Sequence, residues 1–204
     1  MICPRQVVHL GNSDYFLHHC GSEIIYKILI SKVIKLPIGV VRWREILDLS
    51  DQQLKTALTF AKLCSKSVFD QVFQYKIVVQ ILPTGKYLNR YQIRDSDQCS
   101  RCLLTADTVL HSTWQCSRLY PYLTACLELI KSQCNIDITL DKYLFGFGGS
   151  DYCALNHILL ELKKHVFYNW SEDIGVEAFC EQFVKTIKSL VIKKNYSCVF
   201  RHLH

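Results

Sequence analysis

Hydrophobic residues recur through most of the chain at spacings of three and four, the pattern of helices with one apolar face. In the first half, Ser22 is a candidate N-cap for a helix that ends at Pro37, and a short helix around Trp43 follows it. Asp51 is a candidate cap for the next helix. Ser67 to Leu82 predicts another, with its apolar positions 69, 73, 77 and 81 on one face.

The second half repeats this pattern. An apolar helical stretch follows Cys116, and a short hydrophobic piece over 140–147 leads into a Gly-Gly turn. Ser150 or Asp151 then caps a long helix that runs to about Trp170. A final helix spans about 174–194, with its acids early and its lysines late, as the helix dipole favours. These patterns predict a mainly α fold with two closing helices over about 150–195.

The beginning of the chain differs from the rest. Residues 1–21 contain several Gly, Asn, Ser and Asp residues and no sustained period, so we predict an irregular lead-in. Residues 22–204 contain neither an internal repeat nor a low-complexity linker. We therefore predict one irregular helical domain over 22–204.

Composition narrows the class of protein. Half of the 204 residues are hydrophobic and 21% are charged, a balance too apolar for an intrinsically disordered chain. No apolar run reaches the roughly 18 to 20 residues of a membrane span, and the N-terminus lacks the basic and apolar regions of a signal peptide. Eleven cysteines, an odd number scattered mostly at apolar positions, favour reduced thiols over a disulfide framework. We expect an intracellular protein of the nucleus or cytoplasm, with no membrane partner.

Four potential metal ligands stand close together in the middle of the chain. Cys99 and Cys102 have C-x2-C spacing, and after an eight-residue spacer His111 and Cys116 form an H-x4-C pair. Three thiolates and one imidazole suit tetrahedral zinc. Four protein ligands leave no open position, so we predict a structural zinc site without a small-molecule substrate, clipping a loop between helices over about 95–118 (the Cys-His unit). The alternative is that these are ordinary cysteines with a histidine nearby by chance.

A basic and aromatic run leads into the Cys-His unit. Residues 86–94 include three cations, two tyrosines and no acid, in a chain of net charge +6. Cations can contact phosphates and tyrosine rings can stack on unpaired bases. We therefore predict a nucleic-acid contact formed by Lys86, Tyr87, Arg90, Tyr91, Arg94 and Arg101. The alternative is a solvent-exposed loop whose tyrosines pack against the Cys-His unit; the acid-free segment 185–201 is a second candidate contact, or an ordinary exposed helix face.

Two further motifs are interpreted as structural. The loop over 146–150 precedes a helix but lacks the Gly-Lys-Ser/Thr of a nucleotide-binding P-loop, so we predict a plain turn. Cys153 and His157 lie one helical turn apart, but no orienting acid is evident in the sequence. Core packing or solvent exposure is therefore predicted for them in preference to a nucleophile and its base.

The order of these features resembles the reverse transcriptase zinc-binding domain, a C-terminal region of the polyproteins of non-LTR (LINE-type) retrotransposons. The resemblance runs from about Ser22 to the end of the chain. It rests on a Trp-anchored helix, the run from Lys76-Ile77 to Leu82-Pro83-Thr84, the four cluster residues and Leu144-Phe145-Gly146. It implies that Cys99, Cys102, His111 and Cys116 bind zinc and that the region contacts nucleic acid beside a polymerase. Asp107-Thr108 stands where the family often has Glu-Thr.

The catalytic signatures of those polyproteins are missing from this sequence. No two aspartates are adjacent, whereas a polymerase needs paired aspartates for two divalent ions, and no proline precedes an aspartate as in the endonuclease signature. We therefore predict a detached or domesticated module that binds RNA or single-stranded DNA and neither polymerises nor cuts. A protein-interaction or scaffolding module with a purely structural zinc is the alternative hypothesis, and a divalent-ion-dependent nuclease is a third.

Overall fold

The computed structural model describes residues 7–10, 13–16, 23, 37–171 and 173–194, and the chain divides into two compact units, 1–37 and 38–204. In the first unit, strands β1 (Val7–Leu10) and β2 (Ser13–Phe16) pair antiparallel with Leu10 opposite Ser13. The prediction of an irregular segment was wrong for these two strands. The missed sequence signal is the pair Gly11-Asn12, which is typical of two-residue hairpin loops.

The second unit is mainly helical, as predicted. The helices are α1 (Ile38–Leu47), α2 (Asp51–Cys64), α3 (Val68–Val78), α4 (Gly85–Arg90), α5 (Tyr120–Cys134), α6 (Leu140–Phe145), α7 (Cys153–Tyr168) and α8 (Val176–Lys194). A π-helical turn (His111–Gln115) and a short 3-10 helix (Ser150–Tyr152) complete the described elements of this unit. In the part of the chain described here, no helix is both long and apolar enough to span a membrane.

Two predictions fall largely outside the described residues. The helix predicted to begin after Ser22 is described only at Glu23, where the backbone is helical. The acid-free segment 185–201 is described as far as Lys194, where α8 ends. The predictions for the remaining residues of both segments stay predictions.

Helix boundaries in the second unit differ from the predicted ones by a few residues. Ser50, not Asp51, is the N-cap of α2: its hydroxyl accepts from the backbone N–H of Gln53, whose side chain accepts from the Ser50 N–H. Ser67 caps α3 as predicted, accepting from the Asp70 N–H. That helix ends at Val78 because the next turn passes through Gln80, whose φ of 57° is incompatible with a continuing helix.

Helix α7 lies at the centre of this unit. It packs against α2, α3, α5, α8 and the π-helical turn. Leu159, Leu160 and Leu162 point to different sides of α7, and each has 0% of its surface exposed. Most residues of α7 are buried, polar ones included, and a helix buried on most sides must be surrounded by other elements, so α7 organises the core.

The three tryptophans of the chain occupy two environments. Trp43 of α1 is fully buried, donates its ring N–H to the Ile77 carbonyl at 3.1 Å and meets Phe145 edge-on at 5.5 Å between ring centroids. Trp114 and Trp170 are partly buried against the same core. Trp43 is therefore a residue of the core itself, and the other two pack at its edge.

A lysine lies inside the core and joins three helices to α7. The side-chain nitrogen of Lys163 donates to Gln74 Oε1 at 2.6 Å and to the Leu144 carbonyl at 2.9 Å, and it lies 4.5 Å from the centroid of the Phe60 ring. Burial lowers the pKa of Lys163 well below its ordinary value. Burial thus favours the uncharged amine, and two neutral oxygens accept its hydrogen bonds. Lys163 therefore needs no carboxylate partner.

A second polar network links α3 to α7. Asp70, 4% exposed, accepts from Ser65 Oγ at 2.6 Å and from Lys164 Nζ at 2.8 Å, and His157 Nε2 lies 3.7 Å from its carboxylate. Glu161 accepts a further 2.8 Å bond from Lys164. Asp70, His157 and Glu161 are close enough to share a metal ion, but the Lys164 ammonium already supplies their positive charge.

This network corrects one reading of the sequence. His157 is buried, one of the two environments predicted for it, yet an acid does face it, because the fold brings Asp70 from α3 to α7. The Cys153 thiol meanwhile donates to the Leu63 carbonyl at 3.3 Å. The network is therefore a buried ion cluster between helices.

We expect Asp70 to stabilise the fold at neutral pH and to lose that effect in acid. Burial raises the pKa of Asp70, but interactions with His157, Lys164 and Ser65 outweigh it and hold the pKa well below its usual range. An acid whose pKa is lower in the folded state stabilises above its unfolded pKa, near 4, and this stabilisation falls as pH decreases towards the folded pKa. Replacement Asp70→Asn should cost about 2 kcal/mol at neutral pH.

Urea unfolding of the wild type, Asp70→Asn and a control, Asp95→Asn, measures this difference at each pH. The wild type and Asp70→Asn should differ by a constant amount above about pH 5 and converge in stronger acid. Asp95 is exposed, so its replacement should leave stability unchanged. A difference that persists undiminished in acid would contradict this account of Asp70.

Candidate metal centre

A tight hairpin places the first two cysteines of the Cys-His unit side by side. Gln98 and Ala106 form an isolated antiparallel bridge, and the Cys99 N–H donates to the Thr105 carbonyl at 2.8 Å. The Leu103 N–H then donates to the Cys99 carbonyl at 2.9 Å, and Leu103 adopts a φ of 57° to close the turn. The C-x2-C spacing therefore produces a turn with both thiols on its inner side.

A wide helical turn places the other two ligands. Thr108 Oγ1 accepts from the His111 N–H at 3.0 Å, which caps the turn, and the Cys116 N–H donates to the His111 carbonyl at 3.0 Å. This hydrogen bond joins residues five positions apart and so defines the π-helical turn over His111–Gln115. Four residues separate His111 and Cys116 in the sequence. The wide turn lets both side chains face the hairpin.

The four side chains converge. One donor atom from each of Cys99, Cys102, His111 and Cys116 lies within 4.8 Å of all the others. Cys99 Sγ and Cys116 Sγ are 3.8 Å apart, and Cys102 Sγ lies 3.3 Å from His111 Nε2. Two sulfurs bound tetrahedrally to one zinc ion at about 2.3 Å lie about 3.8 Å apart, whereas a disulfide requires about 2.05 Å. The cluster can therefore hold a metal ion, as the sequence predicted.

Backbone donors surround the sulfur atoms. Burial raises the pKa of Cys102, but backbone N–H groups of Leu104 and Thr105 outweigh it and lower the pKa below its ordinary value. Burial raises the pKa of Cys116 to about 11, and the neighbouring Cys99 adds to this effect. A divalent cation among the sulfurs would offset the cost of burying thiolates.

The histidine is prepared as a neutral ligand. Burial lowers the pKa of His111, and the Arg101 charge adds to this effect against the opposing influence of Asp107. Thr105 Oγ1 lies 3.1 Å from Nδ1 of the ring, so the other nitrogen, Nε2, faces the sulfurs. A hydrogen bond to the far nitrogen is the usual way in which proteins orient a metal-binding imidazole.

Asp107 joins the Cys-His unit to α4. Its carboxylate accepts from the Gly85 N–H at 2.7 Å and from the Ser112 hydroxyl, while its carbonyl accepts from the Lys86 N–H at 3.0 Å. A Cβ on Gly85 would lie 2.9 Å from the Asp107 Cβ, so only glycine allows this approach. The Asp107-Thr108 pair of the sequence thus has two structural roles, since Thr108 caps the π-helical turn.

The predicted nucleic-acid contact is mostly gathered on and after α4. Lys86, Arg90 and Tyr91 are exposed, and Tyr87 and Arg94 are partly buried. The rings of Tyr87 and Tyr91 lie 4.9 Å apart, and the Arg90 guanidinium is 6.0 Å from the Tyr91 centroid. The structure therefore brings these residues onto one short element beside the Cys-His unit.

Arg101 is used differently. Its guanidinium donates to the Ser112 carbonyl at 2.7 Å and lies 3.4 Å from the Val166 carbonyl, near the end of α7. It also lies 5.4 Å from the centroid of the Trp170 ring. These contacts place the charge inside the fold, apart from the exposed cations of α4, because carbonyls at a helix C-terminus attract a cation.

Sequence reasoning missed other residues around the centre. The resemblance noted Asp107 without giving it a role, and no pattern distinguished Thr105, since the partners of both residues become neighbours only in the fold. The polar residues of the spacer between the two ligand pairs were the available signal, because a metal-binding histidine needs a hydrogen-bond partner for its other ring nitrogen. Arg42 of α1 was also missed; it shares a groove with Lys86 and Arg90.

Comparison of the chain with family models, curated proteins and solved structures finds no match.

Replacement of one ligand should remove the metal and most of the stability of the second unit. Comparable structural zinc sites contribute on the order of 10 kcal/mol, about as much as the whole stability of a typical domain. We expect purified Cys102→Ser to lose its metal, measured by elemental analysis, and to melt far below the wild type. Cys134→Ser is the matched control because Cys134 is outside the cluster.

The control should retain one metal ion per chain and an unchanged melting temperature. Removal of the ion from the wild type by a chelator should reproduce the behaviour of Cys102→Ser. Equal metal content and equal melting temperature in Cys102→Ser and the wild type would show that the cluster binds no structural ion.

Proposed function

We propose that the chain is a zinc-stabilised module that binds RNA or single-stranded DNA, the function implied by its resemblance to reverse transcriptase zinc-binding domains. The donor set supports zinc, because three thiolates and an imidazole at tetrahedral spacing match its preferred ligands. Four protein ligands leave no coordination position for a substrate. The ion would hold the hairpin and the π-helical turn together and would take no part in chemistry.

One observation carries the nucleic-acid part of the proposal: α4 presents exposed cations beside paired tyrosines and is hydrogen-bonded directly to the Cys-His unit. Lys86 and Arg90 form no ion pair with any residue that the structure describes. Phosphates would neutralise these charges, and the rings of Tyr87 and Tyr91 offer surfaces for unpaired bases. Asp107 fixes the start of α4, so the zinc site would determine the position of this surface.

Salt dependence tests this proposal. We expect the purified full chain to bind short labelled single-stranded RNA or DNA, measured by fluorescence anisotropy, and to bind less tightly as salt rises from about 50 to 200 mM. Each phosphate that a protein cation neutralises on a single strand should contribute about −0.7 to the slope of log K against log salt. Undetectable binding to both nucleic acids at low salt would refute the proposal.

A second candidate function, a protein-interaction module, is favoured by an apolar stripe on α3. Val68, Phe69, Val72 and Tyr75 lie along one side of that helix, and Phe69 is 86% exposed. Exposed apolar patches of this kind mark interaction surfaces. This function predicts that the wild type self-associates in sedimentation experiments, that Phe69→Ser abolishes this self-association, and that neutralisation of Lys86, Arg90 and Arg94 leaves it unchanged. A wild type that stays monomeric, and loses affinity for single strands when those three cations are neutralised, supports nucleic-acid binding.

A further inference from the structure

A groove of about 650 Å³ lies beside the Cys-His unit. Helix α1 supplies Arg42 to its lining, and α4 supplies Lys86, Tyr87 and Arg90. The remaining wall includes Asp97 and the backbone segment that leads into His111. Residues far apart in sequence thus form one concave surface, which includes half of the predicted nucleic-acid contact residues.

The groove is positively charged. Arg42, Lys86 and Arg90 are all exposed, and Asp97 is the one acid among its described lining residues. None of the three cations forms an ion pair within the described parts of the chain. Cations gathered in a concave surface repel one another and raise the local concentration of anions, so an anionic ligand complements this groove.

The size and the aromatic lining narrow the class of anion. A volume of about 650 Å³ lies in the range of cavities that enclose one small organic ligand. Tyr87 lines the groove with its ring supported by Tyr91 at 4.9 Å, and Ile38 and Ile46 add exposed apolar surface. Cations contact phosphates, and an aromatic ring with apolar neighbours contacts a base that is not stacked in a duplex. A ligand with both phosphates and an unstacked base therefore matches this lining.

We infer that this groove holds an unpaired nucleotide segment of a single strand, with Arg42 of α1 as a phosphate contact in addition to those of α4. The inference rests on the proposed function and specifies its site. Lys86 and Arg90 contact neighbouring phosphates, and the Tyr87 ring faces a base. A duplex is disfavoured because its bases are stacked inside the helix and cannot enter the groove.

The Cys-His unit forms part of this groove. Thr108, Val109 and Leu110 line it and lead directly into His111, and Asp97 lies two residues before Cys99. Loss of the metal would therefore disturb the groove wall as well as the cluster. Binding of a single strand should require the loaded metal site even though no ligand of the metal touches the nucleic acid.

The experiment compares two groove variants with two matched controls. Arg42→Ala and Tyr87→Leu alter the groove, while Lys62→Ala and Tyr168→Leu make the same types of change at exposed positions of α2 and α7 outside it. We expect Arg42→Ala to weaken single-strand binding several-fold at low salt and to reduce the salt slope by about 0.7. Tyr87→Leu should weaken binding with an unchanged slope, and both controls should match the wild type.

Other outcomes distinguish failure of the groove assignment from failure of the proposed nucleic-acid-binding function. If the wild type binds single strands and both groove variants bind equally well, the groove assignment is overturned while the proposed function stands. Failure of the wild type to bind any nucleic acid removes both. Equal affinity for duplex, or competition by a free nucleoside monophosphate as strong as that of the oligonucleotide, would overturn the assignment to an unpaired strand. Thermal melting of each variant confirms that it is folded.

Discussion

The convergence of four donor atoms is the constraint on which the middle of the fold depends. Between the end of α4 at Arg90 and the start of α5 at Tyr120, a fully described stretch, regular backbone structure amounts to one isolated bridge and one short helical segment over 109–115 that is mostly π-helical. Leu103 and Leu104 at the tip of the hairpin are mostly exposed, so apolar burial contributes little there. A cross-link among buried sulfurs is what such a stretch needs to keep one conformation.

Two polar residues extend this constraint to the helices. Asp107 holds the first turn of α4 through Gly85, and Arg101 reaches the carbonyls at the end of α7. Hydrogen bonds, and not a shared apolar core, therefore link the position of the exposed cations to the conformation of the cluster. An ion held by the cluster would therefore also fix the position of α4 and of the cations that α4 exposes.

Local patterns predicted what local interactions determine. The helical period gave most of the helices, and the C-x2-C and H-x4-C spacings gave the cluster, because each depends on residues within a few positions of one another. Ser50 was missed as a cap because Asp51 beside it is an equally good capping type. Arg42, Asp70 and the role of Arg101 were beyond such reasoning, since their partners come from other helices.

The contacts of Arg101 bear on whether the hairpin of the Cys-His unit could fold without the rest of the chain. Many small metal-bound hairpins fold as independent peptides, but this one directs a guanidinium out of its own sequence towards Val166 and Trp170. An excised hairpin would leave that cation in water and the end of α7 without its partner. We therefore expect the hairpin to take this conformation only in the presence of the helices that follow it.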